Sequence, residues 1–159
     1  MVGKRDKLLL WLANQPQDKE YEITERRKKR SLNANAYFHV LCQKVAEKTS
    51  QSLYEVKNQM IADFGQADTD LGSVILRDDI EWRKFESLHL HPTTATKVLD
   101  DGRLYRVYIV MRGSHTYDTK DMARLIDGVV QEAKQLDIET LPPKELELMI
   151  GRWKGEGQN

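Results

Sequence analysis

The chain has 159 residues and a mass of 18.5 kDa, the size of one ordinary domain with a single core. Hydrophobic residues make up 40% and charged residues 31%, a balance that excludes collagen, coiled-coil rods and wholly disordered chains. The longest apolar run, residues 8–13, is far shorter than the roughly 20 residues of a membrane span. Cys42 is the single cysteine and cannot form an internal disulfide. We therefore expect one domain over residues 1–159, in the cytoplasm and with no membrane contact.

The formal net charge is zero, but the charges are unevenly distributed. Residues 1–60 hold 12 Lys and Arg against 7 Asp and Glu, whereas residues 61–159 hold 13 against 18. Five cations are consecutive, from Arg26 to Arg30. This basic run can attract a polyanion locally although the whole chain is neutral.

The first half of the chain predicts mostly helices. Residues 1–19 are predicted to form an N-terminal helix, over residues 6–14, followed by a turn at Pro16. Alternation over residues 20–27 predicts a strand. Ser31 is then expected to cap a helix that extends to about Thr49. The sequence Ser52-Leu53-Tyr54-Glu55 has the spacing of a capping box and predicts another helix, which ends at Gly65.

The second half adds strands. Residues 73–77 are predicted as a strand, residues 78–87 as a helical turn, and His91-Pro92 as an extended connection. A β-hairpin is expected near residues 97–111, with Asp101-Gly102 as a two-residue type I′ turn. The sequence then predicts a strongly amphipathic helix capped by Thr119. A last helix near Pro143 and a frayed tail over residues 154–159 follow it. The fold class is α+β: a small mixed or antiparallel sheet packed with four to five helices.

Common catalytic motifs are absent from the sequence. It has no phosphate-binding loop, no dinucleotide-binding glycine motif after a strand and no nucleophile elbow. Cys42 falls in the middle of a predicted helix, where a structural thiol is expected. His89 and His91 share one face of an extended segment, but no further ligands complete a zinc site. We predict no catalytic residue, no metal and no cofactor.

Asp78, Asp79 and Glu81 form the alternative candidate site. Clustered carboxylates can hold Mg²⁺ for phosphodiester hydrolysis, which would make the protein a nuclease. Asp78 and Asp79 are equally consistent with the end of a strand and the cap of the helical turn that follows.

The basic run is the feature that most strongly indicates a function. A run of cationic residues that ends at the start of a helix can contact several phosphates. The helix N-terminus offers unpaired N–H groups to the same anions. Asn33 and Asn35 can add hydrogen bonds to bases or sugars, and Tyr37 can stack on a base or pack in the core. The predicted nucleic-acid-binding residues are Arg27, Lys28, Lys29, Arg30, Ser31, Asn33, Asn35 and Tyr37.

The segment from Arg30 to Phe38 resembles the R-S-x-x-Q-N opening of the NinB (Orf-like) recombination proteins of bacteriophages, with Ala34 where the motif has glutamine. The segment from Gly113 to Trp153 is similar to the C-terminal helix pair of that family. The resemblance implies an α+β homodimer that binds single-stranded DNA and the host single-strand-binding protein and does not cut DNA.

The leading hypothesis is therefore a non-catalytic DNA-recombination accessory protein of a phage or prophage, located in the host cytoplasm. One alternative is the Mg²⁺-dependent nuclease. Another is a protein-interaction adaptor that docks a partner or its own copy through Leu146, Met149 and Trp153 of the acidic second half.

Overall fold

The computed structural model describes residues 3–24, 32–142, 144–146 and 148–149, with Leu32 and Asn33 described in their backbone alone. Four helices are assigned in this part of the chain: α1 (Arg5–Ala13), α2 (Leu32–Thr49), α3 (Leu53–Phe64) and α4 (Thr119–Gln135). Three strands are assigned as well: β1 (Ser73–Arg77), β2 (His89–Val98) and β3 (Leu104–Met111). The strand order is β1-β3-β2 and both pairings are antiparallel. The α+β prediction is confirmed.

The main core lies between the three longer helices and one face of the sheet. The apolar residues of the amphipathic helix α4 recur on one side and form a stripe, which is buried throughout. The stripe consists of Met122, Leu125, Ile126, Val129, Val130 and Ala133. Helix α2 contributes Phe38 and Leu41, and β3 contributes Met111, to the same core. Helix α3 has the predicted capping box, in which Ser52 and Glu55 bond each other's backbone N–H groups, and it ends at Gly65.

A second, smaller apolar cluster covers the opposite face of the sheet. Alternate residues of β3 point to opposite faces, so Tyr108 and Val110 lie away from the helices. Trp82 and Phe85, from the segment that holds a short 3₁₀ helix (Trp82–Lys84), pack against them together with Leu90. The helical turn predicted in this region is confirmed as that single 3₁₀ turn.

The hairpin is confirmed, but its predicted turn type is wrong. A type I′ turn requires positive φ at both central residues, and of Asp101 and Gly102 only Gly102 has it, at 74°. The Gly102 N–H donates to the Leu99 carbonyl at 2.9 Å and the Leu99 N–H to the Arg103 carbonyl at 3.1 Å. These hydrogen bonds define a hairpin loop longer than the predicted two-residue turn, in which a turn is followed by one glycine with a left-handed backbone.

Three further predictions are corrected. Residues 20–24 form no strand, since Tyr21 folds back onto Trp11 with ring centroids 5.7 Å apart; residues 25–27 lie outside the described part. The segment at His91-Pro92 is part of β2 rather than a connection, because an edge strand tolerates proline. Helix α4 is capped by Asp118, one residue before Thr119, and the Asp118 carboxylate accepts from the Asp121 N–H at 2.9 Å.

The C-terminal region is described in part. Residues 144–146 and 148–149 are helical, in agreement with the predicted last helix. Pro143, Trp153 and the tail over residues 154–159 lie outside the described residues.

Candidate nucleic-acid interface

The basic run ends at Arg30, two residues before the first residue of helix α2. This helix has 18 residues and begins at Leu32, so the sequence places Arg26–Arg30 next to its N-terminus. The first N–H groups of a helix have no partner within the helix and carry a partial positive charge. Arg27, Lys28, Lys29, Arg30 and Ser31 themselves lie outside the described residues, and so does the side chain of Asn33.

At this end of α2, the structure describes one polar side chain from the predicted site, that of Asn35. It lies in the first turn and is half-buried, beside the fully buried Ala34. Its side-chain oxygen Oδ1 is shielded from solvent and has no hydrogen-bond partner in the described part of the chain. A buried acceptor without a partner is costly, and native structures contain few of them.

Tyr37 packs in the protein. Its ring is half-buried against the main core, and its hydroxyl accepts a hydrogen bond from the Leu141 N–H at 2.9 Å. This contact ties the segment after α4 to helix α2. Of the two roles that the sequence left open for Tyr37, packing or base stacking, the geometry corresponds to packing.

The three carboxylates of the alternative nuclease site are each paired with a different cation. Asp78 pairs with Arg106, Asp79 with Arg77, and Glu81 with Lys84. Within the described ranges no group of three or more His, Cys, Asp or Glu side chains is arranged to hold a metal ion. The structure therefore does not bring Asp78, Asp79 and Glu81 together around a common ligand.

The residues of the proposed adaptor surface are partly buried. Leu146 and Met149 pack against the main core, and Trp153 lies outside the described residues. Cys42 is fully buried, and burial raises the pKa of its thiol to about 12. The thiol is therefore protonated at neutral pH, in agreement with a structural role.

A polar junction between α3 and β2 was not anticipated from the sequence. Asn58 is 1% exposed, and its amide nitrogen donates to the carbonyls of Arg83 and Phe85 at 2.7 and 2.6 Å. Its amide oxygen is therefore the acceptor for His89 Nδ1, 2.6 Å away. The sequence signal for this junction is Asn58 itself, a polar residue that lies between Val56 and Met60 of α3, both of which are buried.

No helix in the described part of the chain is long and apolar enough to cross a membrane. Comparisons with protein-family models, with curated proteins and with solved structures gave no match to this chain.

Proposed function

We propose that this protein is a DNA-recombination accessory protein of a phage or prophage, which binds single-stranded DNA without cutting it. The observation that carries the proposal is the start of α2 at Leu32, two residues after the last of five consecutive cations. The cationic side chains and the helix N-terminus then offer complementary charge to the same phosphates.

One feature of the described residues supports this proposal. The carboxylates of the alternative nuclease site are neutralised by cations of the protein itself, so they are poorly suited to bind Mg²⁺.

DNA binding is tested by fluorescence anisotropy of labelled single-stranded DNA over a salt series. With about four phosphates contacted, log K falls with log salt at a slope of about −3, and Lys28→Ala/Lys29→Ala/Arg30→Ala reduces that slope by about 2. The matched control is Lys44→Ala/Lys48→Ala/Lys134→Ala, which removes the same charge from exposed helix positions. Equal losses in the two triple variants, or no binding at low salt, would contradict the proposal.

Cleavage is tested with the same DNA labelled at one end. We expect intact DNA both with Mg²⁺ and with EDTA, because each acidic side chain of the candidate cluster already has a cationic partner. Products that form with Mg²⁺ and disappear in an Asp78→Asn/Asp79→Asn variant would establish the nuclease instead.

The resemblance to the NinB family further implies a homodimer in the host cytoplasm that contacts the host single-strand-binding protein. Self-association has support from β1, which is an edge strand of the sheet in the described part of the chain and carries Ile75, 64% exposed. Light scattering of the wild type should give a dimer, and Ile75→Lys should give a monomer if this edge contributes to the interface. A monomeric wild type would exclude the dimer.

A further inference from the structure

Strand β1 is paired on one side only in the described part of the chain, because β3 is its neighbour and the strand order ends there. The Gly72 carbonyl accepts from the Val110 N–H at 2.9 Å, and the Asp78 N–H donates to the Leu104 carbonyl at 2.9 Å. In an antiparallel pair every second residue bonds the neighbouring strand. The even-numbered residues of β1 therefore bond β3, and the odd-numbered residues direct their N–H and carbonyl groups outward.

The outward groups belong to Ser73, Ile75 and Arg77. The Arg77 carbonyl accepts from the Ile80 N–H at 3.5 Å, a long contact. A row of outward N–H and carbonyl groups along a strand is a template on which another strand can pair.

Strand β2, at the other edge of the sheet, carries features that oppose such pairing. Pro92 has no N–H group, the register against β3 shifts between Pro92 and Thr96, and Lys97 adds a charge. Strand β1 holds no proline, pairs with β3 without a register shift, and has three aliphatic residues at its centre. Of the two edges of this sheet, β1 is therefore the one suited to receive a strand.

We propose that β1 pairs with β1 of a second copy of this chain, in antiparallel orientation about a two-fold axis at Ile75. The three-stranded sheets of the two copies then form one continuous sheet. The outward groups of Ile75 bond those of Ile75 in the second copy, and the Arg77 N–H donates to the Ser73 carbonyl of that copy. This inference rests on the homodimer of the proposed function and assigns its interface.

The side chains of β1 are complementary to the same strand in reverse. Ile75 is 64% exposed, and Ile75 of the second copy covers it. Val74 and Leu76 pack against the second apolar cluster, and each lies opposite the other across the axis, which extends that cluster. Arg77 lies opposite Ser73, so like charges do not meet. A shift of two residues would instead place each Ile75 opposite Arg77 or Ser73.

The interface is tested by disulfide cross-linking of Ile75→Cys, oxidised with copper phenanthroline and separated by non-reducing gel electrophoresis. The Cα atoms of such an opposed pair lie about 5.5 Å apart, within the span of a disulfide. Cys42 is fully buried, so the introduced thiol is the accessible one. The control is Val98→Cys, at a position that is 60% exposed on β2. We expect a linked dimer for most chains of Ile75→Cys and none for the control.

The register is tested with Ser73→Cys and Arg77→Cys, oxidised separately and as a mixture. Under the proposed axis residue 73 of one copy faces residue 77 of the other, so the mixture should give the mixed dimer, identified by mass spectrometry, and neither variant should link to itself. Parallel pairing would instead link Ser73→Cys to its own copy. That result, no cross-link in both Ile75→Cys and the mixture, or equal cross-linking of Val98→Cys would overturn the proposal.

Failure of this interface is distinguishable from failure of the proposed function. Light scattering of the wild type reports the dimer whatever surface forms it, and the anisotropy titration reports DNA binding. A dimeric wild type without these cross-links overturns the β1 interface alone.

Discussion

At the scale of single residues, Asn58 joins three parts of the molecule. Its side chain connects α3 to β2 through His89 and to the 3₁₀ segment through the carbonyls of Arg83 and Phe85. All three hydrogen bonds meet at a side chain that is 1% exposed. Loss of the amide would therefore leave buried donors and acceptors without partners.

We expect Asn58→Ala to lower the free energy of unfolding by about 2–4 kcal/mol, because it leaves these buried polar groups unpaired. Urea denaturation followed by circular dichroism measures the change. The control is Gln59→Ala on the same helix, which removes only exposed bonds to Asp63 and should cost less than about 0.5 kcal/mol. A small effect of Asn58→Ala would show that water replaces the lost partners.

His89 makes stability depend on pH. Burial, Lys57 and His115 lower its pKa in the folded protein below the ordinary value of 6.5. The unfolded chain therefore binds a proton first as the pH falls, so the stabilisation by neutral His89 is complete above that value and declines as the pH falls towards the folded pKa.

We expect His89→Asn to reduce the loss of stability between about pH 7 and about pH 5, because asparagine keeps the donor to Asn58 but does not titrate. Urea midpoints over this range give the measurement. Identical profiles for the wild type and His89→Asn would show that other groups cause the dependence.

At the scale of elements, α3 and α4 pack closely at a glycine. A Cβ on Gly128 would lie 2.3 Å from Cδ2 and 2.4 Å from Cγ of Phe64. The stripe of α4 was predictable because its apolar spacing is so regular, but the glycine within it could be understood only from the position of the Phe64 ring.

We expect Gly128→Ala to destabilise the protein by about 1–3 kcal/mol through overpacking, although alanine is favoured over glycine in helices by about 1 kcal/mol. Thermal or urea unfolding would detect this loss. Phe64→Leu removes the ring, so the alanine should become less harmful in the double variant Phe64→Leu/Gly128→Ala. A stabilising Gly128→Ala would mean that α3 and α4 can separate at little cost.

At the scale of the whole molecule, one continuous core links the elements that the sequence places far apart. Helices α2, α3 and α4 share this core with Met111 of β3, and the second cluster covers the other side of the same strand. Strand β3 lies between β1 and β2 and carries residues of both clusters, so unfolding of this strand disrupts both.

We therefore expect one cooperative unfolding transition. In a Trp11→Phe/Trp153→Phe variant, Trp82 reports on the second cluster by fluorescence, while circular dichroism reports mainly on the helices of the main core. The two signals should change at the same urea concentration. Separate midpoints would show that the chain contains two independently folding units.

The sequence alone determined those features that depend on neighbouring residues. The capping box of α3, the stripe of α4, the bounds of β1 and the place of the hairpin follow from local spacing, and all are present in the fold. The basic run and the start of α2 are also local features, which is why they carry the DNA-binding hypothesis.

The tertiary structure decided what depends on contacts between distant residues. The full length of β2 required β3 as its partner, and residues 20–24 found no strand with which to pair. The ion pair of Asp78 with Arg106 and the junction at Asn58 join residues from separate elements. No spacing in the sequence encodes such contacts, because they arise only when helices and strands pack around a common core.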